Sequence, residues 1–363
     1  FTILNRGIKM DELRSFLSRP IKSDELDLLV LGEAMVDVYH EPISTAEFKQ
    51  LGIDSGGWYL FDPNCENSLK LCEKIRKIPI TKKIPGGCPS NVAVNIRQLG
   101  ASAGMITALG GDNNGNLFFD HLEDNNIEKF AQYFNSKTNP FLHVLFDETG
   151  ERTFFAYTGA TPQINLDFPV PKSKILFTSG YEVGKIGLPV VDFASKFDGI
   201  VAFDVASAEL AKDNLDLFRK MLNYTDILFT SKLEETYLFG DRPDVNYELS
   251  CHVKKHGDKG AIISYNEGVF SINADPILTA QAGVSCEDGY FQNTNGAGDG
   301  FAAGFLYGLL NGFTYEDSGS LASKLASTVI MYEEPFMKKR SLRVDVHKYD
   351  LEQKYKKELE KAS

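Results

Sequence analysis

Asn293-Thr294-Asn295-Gly296-Ala297-Gly298-Asp299-Gly300-Phe301-Ala302-Ala303-Gly304-Phe305-Leu306 runs a glycine-rich turn straight into a helix and sets a carboxylate at the junction. Apolar residues at 301, 302, 305, 306, 309 and 310 recur at helical spacing, which puts Asp299 in the first turn, just past a bend freed by Gly296 and Gly298. The N–H groups that open a helix have no partner within it and carry partial positive charge. They can hold a phosphate, or the charge that develops on a phosphoryl group in transfer. An aspartate beside them can take a proton from an attacking hydroxyl. As plain architecture, the same residues make a helix cap and a tight turn.

Composition agrees with a large soluble enzyme without identifying one. A chain of 363 residues, 43% of them hydrophobic, buries a substantial core as one large or two unequal domains. A formal charge of −12 without long Lys/Arg clusters argues against a nucleic-acid surface. No apolar run reaches membrane-spanning length. The stretch from Phe301 to Leu310 is too short, and its Gly300, Gly304 and Gly308 point instead to close packing of that helix against a neighbour. Cys65, Cys72, Cys88, Cys251 and Cys286 show no metal-like pairing, which leaves reduced thiols in a cytoplasmic protein. Phe1 to Lys9, ahead of Met10, lacks the pattern of a signal peptide and need not belong to the natural chain.

Upstream, Asp27-Leu28-Leu29-Val30-Leu31-Gly32 is an apolar run closed by glycine, the pattern of a buried strand. Similar runs begin at Gly104, Ile175, Gly199, Asp226 and Gly260 and alternate with helical segments. That alternation predicts an α/β fold with a mostly parallel sheet flanked by helices. Ligands of such sheets gather beyond the strand C-terminal ends, where Asp37, Asp112 and Asp204 fall. Two segments break the alternation, residues 39–84 and 140–161. In the second, Phe141 to Phe146 and Arg152 to Tyr157 flank the polar turn Asp147-Glu148-Thr149-Gly150 and predict a β-hairpin.

Four further motifs, read with the opening one, carry a resemblance. They are Gly32-Glu33-Ala34-Met35-Val36-Asp37, then Pro85-Gly86-Gly87-Cys88-Pro89-Ser90-Asn91 continuing to Leu99-Gly100-Ala101, then Gly110-Gly111-Asp112-Asn113-Asn114-Gly115, then Gly257-Asp258-Lys259-Gly260-Ala261. In this order the chain resembles the ribokinase or PfkB-type carbohydrate kinases, a family that includes adenosine kinases. The resemblance implies a ribokinase-like kinase domain over residues 24–340, an N-terminal extension at 1–23 and a charged C-terminal tail at 341–363. Within it, Tyr349 to Ser363 reads as a solvated helix or a frayed end. Residues 38–84 and 140–161 are implied to form a small β-sheet lid that keeps water from the phosphoryl group and through which a homodimer can form.

The activity implied is transfer of the γ-phosphoryl of ATP, with Mg²⁺, to a primary hydroxyl of a sugar or ribonucleoside. Carried onto this sequence, Asp299 is the general base, and Gly296, Ala297 and Gly298 supply the N–H groups of the anion hole. Asp37 and Asn91 bind sugar hydroxyls, because a carboxylate accepts from two adjacent hydroxyls and an amide both donates and accepts. Gly86 and Gly87 let the backbone approach the ring, and Arg152 reaches from the hairpin toward substrate or γ-phosphate unless it is merely solvated. Lys255, Gly257, Gly260 and Asn295 fall on the ATP side, and Glu234 acts on Mg²⁺ through water. The insert from Ala46 to Asp62 and Asn295 look like adenosine-type members. The segment from Gly87 to Ala93 looks like sugar kinases, so both acceptors stay open.

Three positions depart from the family pattern. Asn293 stands where an aspartate helps hold a monovalent cation, and a neutral amide is a weaker ligand for a hard cation, which argues against K⁺ activation. Ser231 replaces the asparagine of an Asn-x-x-Glu motif, and Lys255 replaces a threonine, setting a positive charge near phosphate. These departures motivate an alternative reading, a catalytically impaired sugar- or nucleoside-binding protein on the same scaffold. A dinucleotide-dependent oxidoreductase would need Gly-x-Gly-x-x-Gly after the first strand, where the chain has Gly32-Glu33-Ala34-Met35.

Overall fold

The computed structural model describes residues 9–240, 247–275, 295–332, 334–337 and 342–362. Cys286, Asn293 and Thr294 lie outside the described residues, and with them the reading of Asn293 against K⁺. In chain order the strands are β1 (Glu25–Leu31), β2 (Val36–His40), β3 (Trp58–Leu60), β4 (Ile80–Pro85), β5 (Ala103–Gly110), β6 (Glu128–Phe134), β7 (Phe141–Phe146), β8 (Arg152–Tyr157), β9 (Lys172–Ser179), β10 (Ile200–Asp204), β11 (Ile227–Ser231), β12 (Cys251–Lys255), β13 (Ala261–Tyr265) and β14 (Gly268–Ile272).

The large sheet has the order β14-β13-β12-β11-β10-β9-β1-β5-β6, parallel from β12 through β6. Its inner parallel strands, β1, β5, β9, β10 and β11, are largely buried on both faces, as their unbroken apolar runs require. The run from Gly260, grouped above with the alternating strands, forms β13, which pairs antiparallel with β12. Residues 256–260 are too few for a parallel crossover, which takes a dozen or more.

One apolar layer packs the helices Cys88–Leu99, Ala297–Leu310 and Tyr315–Val329 against the sheet. The other packs Gly180–Ile186, Leu188–Ser195 and Leu215–Leu222 on the opposite face. The glycine spacing near Asp299 does what its pattern predicts. A Cβ on Gly304 would lie 2.7 Å from Ala322 Cα, and one on Gly308 would lie 2.5 Å from Ser318 Oγ, so the two helices meet backbone to backbone.

The small sheet has the order β3-β8-β7-β2-β4 and includes the predicted hairpin as antiparallel β7 and β8. Helices Thr45–Leu51 and Glu66–Ile75 cover one of its faces, where Phe48, Cys72 and Ile75 pack on Phe141, Leu145 and Phe155. The described helices nearest either end pack into the large core. In the helix Met10–Ser18, Leu13 and Leu17 are fully buried. The tail is helical from Leu342 to Ala362, but it is not simply solvated: Val344, Leu351 and Tyr355 join the core, and the Tyr355 hydroxyl donates to Asp317 Oδ2 at 2.6 Å. Their spacing of seven and four residues puts them on one helical face. Among the described residues no helix is long and apolar enough to cross a membrane.

Candidate active site

Four crossings join the sheets, and Asn139, on the one from β6 to β7, ties it to the one after β1 and to the end of β5. Its Nδ2 donates to Ala34 O at 2.6 Å, its Oδ1 accepts from Gly110 N at 3.1 Å, and its own N donates to Asp112 Oδ2 at 3.0 Å. Asp112, left open between site and structure, thus serves the crossing and caps the helix Asn113–Asp124 by accepting from Asn114 N and Gly115 N. The first crossing, Gly32 to Met35, leads to Asp37 on β2; the second, Pro85 to Gly87, leads into the helix that bears Asn91. Gly87 has φ of 90°, and a Cβ on it would lie 3.1 Å from Glu33 O. Gly86 packs on Asp37, with its Cβ position 3.5 Å from Oδ2. The crossings therefore bring Asp37, Gly86, Gly87 and Asn91 together.

Opposite them, Gly296 at φ 82° ends the turn before the helix Ala297–Leu310. A Cβ there would lie 2.3 Å from Pro335 O, so only glycine fits. Asp299 stands in the first turn, as read from the sequence, and accepts from Asn91 Nδ2 at 2.7 Å. The Cys88 thiol also donates to it. Burial raises the Asp299 carboxyl above the ordinary range, and those two hydrogen bonds restrain the rise. Burial and the Asp299 charge likewise hold the Cys88 thiol far above its usual value, so it stays protonated. The Asn91 Oδ1 atom is buried and finds no hydrogen-bond partner among the described residues.

Lys255, the last residue of β12, reaches to this same turn. Its Nζ donates to Asp204 Oδ2 at 2.5 Å and lies 3.4 Å from where a Cβ on Gly298 would sit. Burial works against its charge, but Asp204 and Glu234 outweigh that and hold the ammonium well above the usual lysine range. Glu234 takes up its own helix start: its Oε2 accepts from Ser231 N at 2.6 Å, and Ser231 Oγ in turn accepts from Glu234 N. Serine at 231 thus makes a capping box where the family pattern has asparagine. Burial raises the Glu234 carboxyl, and Lys255 opposes the rise.

A second charged cluster borders the site and had no signal in the sequence. Glu33 accepts from Lys185 Nζ at 2.5 Å, and its N donates to Glu182 Oε1 at 3.1 Å. Burial, then the charge of Glu33, pushes Glu182 up to about 7. Tyr181 lies within electrostatic reach of Cys88, Glu33 and Asp299. Only folding brings these together: Glu33 follows β1, and the rest follow β9, its neighbour in the sheet.

Of the other residues read from sequence, Arg152 Nη1 donates to Asn295 Oδ1 at 3.1 Å, which joins β8 to the turn before Gly296. Gly260 answers to the sheet, since a Cβ there would lie 2.0 Å from Ile272 O. Gly257, at φ 60°, has open space around its Cβ position. A groove of about 670 Å³ lined by Lys172, Phe193 and Phe197 lies at the opposite end of β9, away from all of these.

The chain matches the pfkB family carbohydrate kinase pattern over residues 61–335. It belongs to that family. Members are phosphotransferases with an alcohol group as acceptor, and the ribokinase-like fold is the one described above. The chain is 24% identical to an ATP-dependent 6-phosphofructokinase of Thermoanaerobacterium thermosaccharolyticum, over 69% of this chain and 80% of that one. It is 26% identical to 5-dehydro-2-deoxygluconokinase 2 of Bacillus cereus, over 68% and 80%. Adenosine kinase from Schistosoma mansoni, solved with 2-fluoroadenosine, superposes with a TM-score of 0.72 at 16% identity, covering 86% of this chain and 98% of that one.

Proposed function

We propose that this pfkB-family chain transfers the γ-phosphoryl of ATP to a primary hydroxyl of a sugar or ribonucleoside, with Asp299 as general base. The observation that carries the reading is Asp299 in the first turn behind Gly296, held by Asn91 at 2.7 Å. Its carboxyl, raised by burial, is a better base than an exposed aspartate. The orphan Asn91 Oδ1 suits a substrate hydroxyl, and Asp37 suits a pair of adjacent hydroxyls. Helix-start N–H groups and the Lys255 ammonium are the donor set a polyphosphate needs.

When bound, Mg²⁺·ATP supplies the phosphoryl group and part of the charge that neutralises it. Glu234 and Asp204 are the carboxylates near enough to orient a hydrated cation carried in on phosphate, which asks for one or two such groups. The small sheet acts as a lid: Arg152 on β8 meets Asn295 and brings the hairpin down to the anion hole, excluding water. Its own helices cover one face, so a lid-to-lid homodimer would use the edge strands β3 and β4.

The test is ATP consumption with Mg²⁺ against adenosine, inosine, ribose, fructose and 2-keto-3-deoxygluconate, with and without K⁺. Turnover on one acceptor that collapses in Asp299→Asn, while ATP binding persists, supports the reading and selects the acceptor class. Unchanged turnover in that variant rejects Asp299 as base. ATP and acceptor binding with no product under any condition favours the impaired-scaffold alternative.

A further inference from the structure

Two positive features face each other at the anion hole. The start of the helix Ala297–Leu310 carries the positive end of its dipole and unpaired N–H groups, and the Lys255 ammonium is set against its second residue, Gly298. An ammonium is disfavoured there in the resting protein. What keeps it in place is Asp204, at 1% exposure the deepest carboxylate of the site, whose Oδ2 accepts from it at 2.5 Å. Asp204 ends β10 and Lys255 ends β12, so both are fixed on rigid strands two apart in the sheet. The arrangement becomes favourable once a multiply charged anion lies between the ammonium and the helix start.

We propose that Lys255 is the cationic half of the anion hole: its Nζ donates to a non-bridging oxygen of the phosphoryl group during transfer, with Asp204 as the positioning counter-ion. The proposal rests on the kinase reading above and deepens it. In the step, the bond from the γ-phosphorus to the oxygen bridging to ADP breaks and its electron pair leaves on ADP. The bond from phosphorus to the acceptor oxygen forms, and the hydroxyl proton passes to Asp299. Lys255 keeps all its protons throughout and stabilises the charge spread over the three outer oxygens. Asp299 is occupied by Asn91 and Cys88, and Lys255 by Asp204, so base and cation do not neutralise each other at rest.

The test compares Lys255→Met, Lys255→Arg and the double variant Lys255→Met with Asp204→Asn, all in the intact chain. The double variant removes both charges and so avoids stranding a buried carboxylate; thermal melts confirm that each is folded. Two readouts are taken. The first is the affinity for ADP alone and for ADP with aluminium fluoride, a mimic of the group in transfer that needs no known acceptor. Lys255→Met and the double variant are expected to bind ADP within about threefold of the wild type and the fluoride complex about 10²-fold more weakly, with Lys255→Arg recovering part of the loss. The second is turnover, expected to fall about 10²–10³-fold in kcat with little change in acceptor KM. Equal loss for ADP and its fluoride complex would overturn the proposal and make Lys255 an ordinary nucleotide contact, and no loss on either would overturn it outright. If the wild type binds ATP and acceptor but forms no product under any condition, the kinase reading itself fails; if the wild type turns over, Asp299→Asn is dead and both methionine variants are fully active, only the role of Lys255 fails.

Discussion

Arg152 Nη1 donates to Asn295 Oδ1 at 3.1 Å, which ties the β7–β8 hairpin of the small sheet to the turn preceding Gly296. The two residues are 143 positions apart in sequence, so only the fold brings them together. A charge-assisted hydrogen bond of this kind contributes roughly 1.5–3 kcal/mol when buried and less at a wet edge. Arg152→Ala is expected to raise acceptor KM about tenfold and to increase ATP hydrolysis measured without acceptor, because the cover is looser. A variant that loses kcat with unchanged KM and no added hydrolysis would mean that Arg152 acts on the phosphoryl group instead.

The bond from Asn91 to Asp299 sets the strength of the base. Asn91 donates to the ionised carboxylate and so favours it; removing the donor raises an already elevated carboxyl further. Asn91→Ala should therefore shift the acid limb of the kcat profile to higher pH and lower kcat about 10-fold at pH 7. A profile that keeps its limb while KM rises would assign Asn91 to substrate hydroxyls alone.

Burial pushes Asp37 up to about 7, against an ordinary carboxylate value of 3.8. Two consequences follow from the sign. Asp37 must be ionised to accept two hydroxyls, so kcat/KM should fall as pH drops through about 7, a limb that Asp37→Asn abolishes along with tight acceptor binding. Because the folded pKa lies above the unfolded one, the charged form costs stability above about 7 and the cost is gone below about 4. Asp37→Asn should thus raise Tm at pH 8 and give no gain near pH 4, as thermal melts across that range would reveal. A uniform Tm shift at all pH values would point to packing rather than charge.

How much was legible beforehand follows from the kind of signal each residue carries. Local pattern sufficed for Asp299 and the hairpin, because turn glycines and helical or two-residue periods lie within a few positions of one another. Gly260 was legible as a motif but not in its purpose, which depends on Ile272 across the β13–β14 pair. Ser231 read as a loss from the family pattern, whereas the capping box with Glu234 shows that the same hydroxyl satisfies the helix start. Asn139 and the Glu33, Glu182 and Lys185 cluster gave no signal at all. Their partners follow separate strand ends that only the strand order β9-β1-β5 brings together. Lys255 was read as a charge near phosphate; its ammonium stands against the helix start at Gly298, and the buried Asp204 that holds it was visible only as an acidic strand end.

Two glycines of one helix separate folding from chemistry. At Gly304 an added Cβ meets Ala322 Cα at 2.7 Å and Ala322 N at 3.1 Å; both are backbone atoms of the helix Tyr315–Val329, so neither can move aside. Gly304→Ala must therefore push two helices apart at a fully buried layer, costing about 1–3 kcal/mol and lowering Tm by several degrees. At Gly298 the nearest atom to an added Cβ is Lys255 Nζ, at 3.4 Å, the far end of a flexible side chain, and the backbone there is helical. Alanine is the better helix former, so Gly298→Ala should leave Tm unchanged or slightly higher. Yet its methyl group would stand where the ammonium and the incoming phosphoryl meet, and turnover should drop at least tenfold. Measured side by side, the first variant loses stability in proportion to its activity and the second loses activity alone. A Gly298→Ala enzyme with normal turnover would show that the phosphoryl group passes elsewhere.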